Sequence, residues 1–476
     1  MSPPGDDLGG KARVGVALLA ARTAIVQIGV LVGQVVMARL LEPADFGLYG
    51  ACVVAMQFFA FFGDGGLAAA LIQKKEAPTQ SELSSAFWLM MGVSVLVVGL
   101  AWALAPRLYV VWPDAPHAGP TLLRIVAFEF FLVSLRAVPT LLLERDVDYT
   151  RLAIVETVRD LSYYFVALPV AYFTKLGVLS IGVGILAEGT LGVLLAFWAR
   201  PFVPSFTFDQ SSLGPLLRFG ISFQGSRFIN LVNEGVLPIL GGRLGLASVG
   251  LLRWARETSS FPMKLVEILA RVTFPVYGKV RNDPGRMAKT LSRATFLCAL
   301  LGAALSGMFL GMGRPFVRIV WSEKWLAAEP AFHVYLGAAM LPILGPLVSS
   351  ACDALGKPKV FVRVALALLT LNWTLLLIVR PATIRGFAAT HIAHAAVGFV
   401  VAALVARALV PGVALVRALF TPILGGAAAF GAGTQLAPHI HGPFTLIPAV
   451  LLCLATATLP ALIIDRRTFS SAFRIV

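Results

Sequence analysis

Runs of eighteen or more apolar residues recur from one end of this 476-residue chain to the other, and few folds can accommodate them. A helix rises about 1.5 Å per residue, so each run is long enough to cross the ~30 Å hydrocarbon layer of a bilayer. One such run could be a buried core helix, but a series of them reads as a set of membrane spans. Charge usage agrees. Only 13% of residues are charged, against about 25% in soluble domains, and mean hydropathy is +0.85. The expected fold is an all-α polytopic membrane protein.

The apolar periodicity predicts about fourteen spans, at 14–38, 47–72, 83–105, 120–143, 152–173, 178–198, 216–240, 248–274, 290–312, 329–353, 360–379, 384–406, 413–434 and 443–464. Residues 14–38 are too long an apolar stretch for a signal-peptide core and read as the first span. The connections are short, and none could house a soluble domain. Lys and Arg concentrate on one set of connections, including "QKKEAP", "YGKVRNDPGRMAKTLSR", "GKPK" and the C-terminal "DRR". The positive-inside rule then places both termini in the cytoplasm. The same rule accounts for the net charge of +15 without invoking nucleic acid.

A short repeat sets the domain organisation. "ARLLEPADFGLYGACVVAMQF" (38–58) is echoed by "GRLGLASVGLLRWARETSSF" (242–261), each with Arg, Leu, a polar turn and Gly-Leu opening a helix. An offset of six spans keeps orientation, which predicts two six-helix bundles related by a pseudo-twofold along the membrane normal. The expected units are residues 1–198, a cytoplasmic linker at 199–215, a second bundle at 216–406, and two additional spans with a tail at 413–476. Cys52, Cys298, Cys352 and Cys453 are far apart in apolar surroundings, so neither a disulfide framework nor a metal site is expected.

Charges inside the spans carry the functional signal, because a centrally placed Arg or Lys costs about 2.5–3.5 kcal/mol on insertion scales. Such residues must line water, pair, or snorkel. In "LLRWARETSSFPMKLVEILAR" (251–271), the residues Arg253, Arg256, Glu257, Ser260, Lys264, Glu267 and Arg271 share one face of a helix. Arg253–Glu257 and Glu267–Arg271 are i,i+4 pairs, whereas Arg256 has no acid at i±3 or i±4 and is the expected free cation. The preceding span offers Gln224, Arg227, Asn230 and Glu234, and the fourth offers Arg124, Glu129 and Arg136. Gln57 and Asp64 share a side of the second span, and the first carries Arg22 and Gln34. Arg22, Arg159 and Arg271 sit near cytoplasmic ends and read as snorkelling residues, while Glu156, Arg159 and Asp160 could form a local ion pair. His391 and His394 lack a third ligand nearby and read as core residues.

Several blocks resemble bacterial oligosaccharide flippases of the Wzx-like polysaccharide-transporter family. They are "ARLLEPADFGLYGACVVAMQFFAFFGDGGLAAALIQKKE" (38–76), "LLLERDVDYTRLAIVE" (141–156), "RFGISFQGSRFINLVNEGVLPILGGRLG" (218–245), "PMKLVEILARVTFPVYGKV" (262–280) and "ALGKPK" (354–359). The family belongs to the multidrug/oligosaccharidyl-lipid/polysaccharide exporter superfamily. The resemblance implies a central cavity, alternating access, and an undecaprenyl-diphosphate-linked oligosaccharide moved to the periplasmic leaflet of the inner membrane for surface polysaccharide assembly. "GLLRWARETSS" departs from the more neutral, Tyr-rich stretch of the family. A diphosphate with a polar glycan cannot cross hydrocarbon unaided, whereas its polyprenyl tail can stay in lipid. Arg256, Arg227, Arg253, Lys264, Arg136 and Arg124 are the candidate phosphate ligands. Asn230, Gln224, Gln34 and Trp254 are the candidate sugar contacts, and Asp64, Glu129 and Glu234 the ion-coupling candidates.

Two other functions fit parts of the sequence. A cation-coupled multidrug exporter of the same superfamily would use an acidic site such as Asp64 or Glu234. A membrane glycan polymerase or ligase would need a large catalytic outer loop, and the longest here, "GRPFVRIVWSEKWLAAEP", is short. No Gly-rich phosphate loop, paired catalytic carboxylates or nucleophile constellation emerges. A transporter without a chemical step or cofactor is therefore expected. Its partners would be the lipid-linked glycan, the bilayer, and the polymerase and chain-length machinery.

Overall fold

The computed structural model describes residues 26–64, 67–74, 76–146, 148–209, 213–214, 216–218, 225–466 and 469–470. Among these residues the regular structure is helical throughout. Chain contacts divide the protein into two units, Met1–Pro238 and Ile239–Val476.

The first unit contains α1 (Val26–Leu40), α2 (Pro43–Asp64), α3 (Leu67–Gln73), α4 (Gln80–Leu104), α5 (Gly119–Arg145), α6 (Tyr149–Phe173) and α7 (Leu179–Ala199). Helix α8 (Gly225–Gly241) carries the boundary between the units. Local chemistry fixes where these helices start. Thr79 and Glu82 form a capping box at α4: Glu82 N–H donates to Thr79 Oγ1 (3.2 Å) and Thr79 N–H to Glu82 Oε2 (2.9 Å). Lys74 closes the turn with a 2.7 Å bond to Glu82. Asp148 caps α6 by accepting from Arg151 N–H at 3.1 Å.

Arg145, in the "LLLERD" block, caps the far end of α3. Its Nη1 reaches Leu71 O (2.6 Å) and Ile72 O (3.2 Å), and its Nη2 reaches Glu76 O (2.6 Å). The last carbonyls of a short helix thereby gain charged donors. Residues 203–209 of the expected linker are pinned to α4. Gln80 Nε2 donates to Val203 O (2.7 Å), Trp88 Nε1 to Ser205 O (2.9 Å), and Asp209 N–H to Ser85 Oγ (2.8 Å). The Trp88 ring stacks on Phe206 at 5.4 Å.

The second unit contains α9 (Leu246–Ser259), α10 (Phe261–Val280), α11 (Pro284–Phe316), α12 (Glu329–Ala338), α13 (Leu344–Ala354), α14 (Pro358–Val379), α15 (Ile384–Leu409), α16 (Leu415–Leu436) and α17 (Pro443–Ile464). Its tightest contact joins α11 to α16. A side chain at Gly307 would run into the carbonyl of Gly426, and one at Gly311 would come within 2.6 Å of Phe430 O. Small residues let helix backbones approach where lipid provides no hydrophobic drive. By contrast α14 buries only Leu376 and exposes Val362, Leu366 and Ile378, as a lipid-facing helix does. All four cysteines are buried free thiols.

Among the described residues, eight helices are long and apolar enough to cross a membrane. A ninth follows if the pair Glu323–Ala338 and Leu341–Ala354, bent by 44°, is counted as one span. The protein is a multi-pass membrane protein. The expected spans 152–173 and 248–274 fall outside this set and are rich in charge.

One expectation needs correction. The charged stretch 248–274 is not a single straight helix: α9 ends at Ser259 and α10 starts at Phe261. Pro262 is the cause, because it has no N–H to donate to Thr258 O and its ring crowds the preceding turn. The charged face is therefore split, with Arg253, Arg256 and Glu257 on α9 and Lys264 and Glu267 on α10.

Candidate functional site

The first unit gathers polar groups from several helices around the middle of α5, α6 and α7. Arg159 is the hub. Its Nε and Nη2 donate to Asp160 Oδ1 at 2.9 and 2.6 Å, and Nε lies 3.6 Å from Glu188 Oε1 on α7. Glu129 and Arg136 on α5 lie within electrostatic reach of Arg159, and Glu188 couples to both arginines. Arg136 Nε is buried without a hydrogen-bond partner. Arg159 is thus not a free snorkelling residue; its guanidinium is held by carboxylates of α6 and α7.

The sequence "AEGTLG" explains why these charges fit between helices. Gly192 leaves the space that the arginine stems occupy: a Cβ there would lie 3.2 Å from Arg159 Cδ and 3.4 Å from Arg136 Cδ. Gly189 likewise faces Leu132 and the Glu129 stem. The cluster continues into tyrosines. Tyr163 and Tyr164 meet edge-on at 4.7 Å, and both couple electrostatically to Tyr49 of α2 and to Glu188. Tyr164 hydrogen-bonds Gln34 of α1, and its ring fills the space left by Gly33. Gln34 is exposed, so this polar belt opens to one surface of the unit.

Such an arrangement holds three carboxylates, two guanidiniums and a set of hydroxyls midway along α5, α6 and α7. Buried ion pairs contribute little net stability compared with apolar packing, and ionisable residues inside spans mark substrate or ion pathways. The belt can offer guanidinium N–H groups to an anion and hydroxyls to a glycan.

The expected residues of the second unit fare differently. Arg253 pairs with Glu257 at 2.9 Å, as the i,i+4 spacing predicts. Arg256 is half-buried near Tyr335 and His391. It is not the free cation expected from its own helix, since spacing along one helix does not see partners elsewhere. Trp254 is not an exposed sugar platform either. It is 7% exposed, with Trp321, Trp325 and Phe332 rings at 5.7, 5.4 and 5.5 Å, and therefore packs the core of its unit. Lys264 is exposed over its neighbour Phe261 at 5.0 Å. His391 packs edge-on to Tyr335 and lies 5.8 Å from His394.

Arg124 is half-buried on α5 with its Nε unpartnered, and Glu234 is exposed on α8. Gln224 and Arg22 lie outside the described residues, as do the side chains of Asp64, Arg227, Asn230 and Arg271. The sequence reading missed Glu188, Tyr49, Tyr163 and Tyr164. Glu188 had a signal, being a lone carboxylate in a glycine-flanked apolar span.

A family profile described as "Polysaccharide biosynthesis protein" matches residues 36–330, more than half of the chain. The chain belongs to the polysaccharide biosynthesis protein family. Within that family's wider kin, it is 25% identical to the lipopolysaccharide biosynthesis protein WzxC of Escherichia coli K12 over 325 residues, covering 67% of this chain and 65% of WzxC. It is 26% identical to the teichuronic acid biosynthesis protein TuaB of Bacillus subtilis 168, covering 59% of this chain and 58% of TuaB. It is also 25% identical to the succinoglycan biosynthesis transport protein ExoT of Rhizobium meliloti, over 66% of this chain and 61% of ExoT. The chain thus spans less than two thirds of the length of these three relatives.

Solved structures show the fold. The lipid II flippase MurJ in an inward closed conformation superposes with a TM-score of 0.76 at 15% identity, covering 95% of this chain and all of that one. An inward-facing multidrug resistance MATE transporter of the MOP superfamily superposes at 0.66 and 14% identity, covering 83% of this chain. This member of the polysaccharide biosynthesis family therefore has the fold of those membrane transporters.

Proposed function

We propose that this protein translocates polyprenyl-diphosphate-linked oligosaccharide units from the cytoplasmic to the periplasmic leaflet of the inner membrane. It does so by alternating access, with both termini cytoplasmic and without a chemical step. The observation that carries this reading is the polar belt of α5, α6 and α7, where Arg136 keeps a buried, unpartnered Nε beside a glycine-made slot. A membrane anchor has no need of such groups, and their cost in hydrocarbon argues for a polar cargo. Family membership and the transporter fold support the same reading, as do the names of WzxC and ExoT.

In this scheme the expected bundles, 1–198 and 216–406, move about the linker at 199–215, and the two spans of 413–476 complete the lipid-facing wall. Arg136, Arg124 and Arg227 attract the diphosphate. Gln34 and Asn230, with the tyrosines of the belt, meet the sugars, and the prenyl tail remains in lipid. Glu129 and Glu188 are the acids placed to couple the cycle to a cation. The polymerase and chain-length machinery would take the cargo afterwards.

The test is complementation of a strain lacking this gene. Wild type and Arg136→Lys should restore surface polysaccharide, and Arg136→Glu should not, at equal membrane abundance. Full restoration by Arg136→Glu would overturn the role given to the belt. A gain in drug resistance on overexpression, without any polysaccharide defect on deletion, would favour the multidrug exporter instead.

A further inference from the structure

A polar cavity of about 380 Å³ lies within the Ile239–Val476 unit and shares no residue with the belt. Its charged wall is formed by Arg314 at the end of α11 and Arg318 in the turn that follows. The start of α12 adds Glu329 and His333, and the turn before α17 adds His441. Its volume falls within the range of small-molecule sites. The orientation proposed above puts it on the periplasmic side.

The charges are unequally used. Arg314 lies 3.6 Å from Glu329, which is 19% exposed, whereas Arg318 makes no ion pair among the described residues. The cavity therefore carries a surplus cation, one carboxylate acceptor and two imidazoles. Gly313 leaves room for His333 on the α11 side: a Cβ there would lie 3.2 Å from Nε2.

The backbone behind the cavity is distorted in three successive places. Met312 leaves helical geometry at φ −113°, Val317–Trp321 forms a π-turn, and Ser322 adopts φ 130°. Positive φ at a residue with a Cβ is strained, and π-turns inside helices gather at functional sites. Trp321 Nε1 and Ser322 Oγ are also buried without partners. Packing alone does not call for a turn so poorly satisfied.

We propose that this cavity is a binding site for an acidic sugar, with its carboxylate on Arg318 and its hydroxyls on Glu329, His333 and His441. A guanidinium fork matches a carboxylate, and Glu329 is an acceptor for hydroxyls. Glu329 repels a phosphate dianion about twice as strongly as a singly charged carboxylate, which favours the sugar acid over a lipid phosphate. That the sugar arrives on a carrier lipid rests on the flippase proposal; the site itself does not.

The test uses the full-length protein in nanodiscs of uncharged phosphatidylcholine, titrated calorimetrically with D-glucuronate, D-glucose or glycerol 1-phosphate. Saturable glucuronate binding is expected, weakened at least tenfold in Arg318→Gln, with no saturable binding of glucose. Arg318 is exposed, so the variant should elute and melt like wild type. Absence of glucuronate binding to wild type, equal binding of glucose, or an unchanged Arg318→Gln affinity would overturn the site. Binding of glycerol 1-phosphate without glucuronate would also overturn it. None of these results bears on leaflet-to-leaflet transport, which the complementation test reads separately.

Discussion

Replacing Arg159 by Gln tests whether the belt is held together by charge. The substitution removes two charged bonds to Asp160 and the 3.6 Å approach to Glu188, leaving both carboxylates with only Arg136 in electrostatic reach. Breaking a fully buried pair costs about 3–5 kcal/mol. Here the side chains of Arg159, Asp160 and Glu188 are 20%, 34% and 30% exposed, so partial solvation reduces the figure to about 2–3 kcal/mol. If the first unit melts cooperatively, each kcal/mol lowers Tm by about 2–4 °C, for a fall of roughly 4–12 °C. Adding Glu188→Gln should recover about 1 kcal/mol of the loss, because the second change removes a carboxylate that had lost its partner. The assay is a double-mutant cycle read by thermal unfolding of the purified protein in one detergent. A Tm within 1 °C of wild type for Arg159→Gln, or strict additivity of the two changes, would refute the coupling.

Other substitutions probe the scaffold. Trp254→Ala should destabilise by about 3–5 kcal/mol, measured by thermal unfolding, because it opens a cavity among three aromatic rings. A near-neutral result would mean that Trp254 faces an open cavity after all. Gly307→Val should be worse tolerated than Gly192→Ala, since the first meets backbone of α16 and the second only the flexible stems of arginines. Membrane abundance and monodispersity of the two variants check the order. Pro262→Ala should change stability by less than about 1 kcal/mol while straightening the α9–α10 junction, which a spin-label distance across residue 260 would detect.

The sequence was most informative where a single physical rule dominated. Apolar run length placed helices at 83–105, 120–143 and 178–198 close to the observed α4, α5 and α7, because spanning hydrocarbon leaves little freedom. Own-helix spacing found Arg253–Glu257, a contact wholly internal to α9. It failed for Arg256, whose neighbours come from other helices, and it does not reveal Glu188 beside Arg159, although the expected local pair of Arg159 with Asp160 is present. The break at Ser260 follows from Pro262, which a reading by the regular charged face alone passes over. Residue type alone makes Trp254 a candidate sugar contact, whereas three rings from beyond α9 bury it. The tyrosine part of the belt depends on Gly33 and Gly184, whose missing side chains matter only once the helices are packed.

The most direct test of the transport proposal is movement of a lipid-linked oligosaccharide across vesicles containing only this protein. Cargo loaded in one leaflet is followed by a lectin that cannot enter the vesicle, for wild type and Arg136→Glu. The account predicts time-dependent exposure of the glycan with wild type and none beyond empty vesicles with Arg136→Glu. Equal exposure with both proteins, or none with wild type under any applied ion gradient, would contradict it.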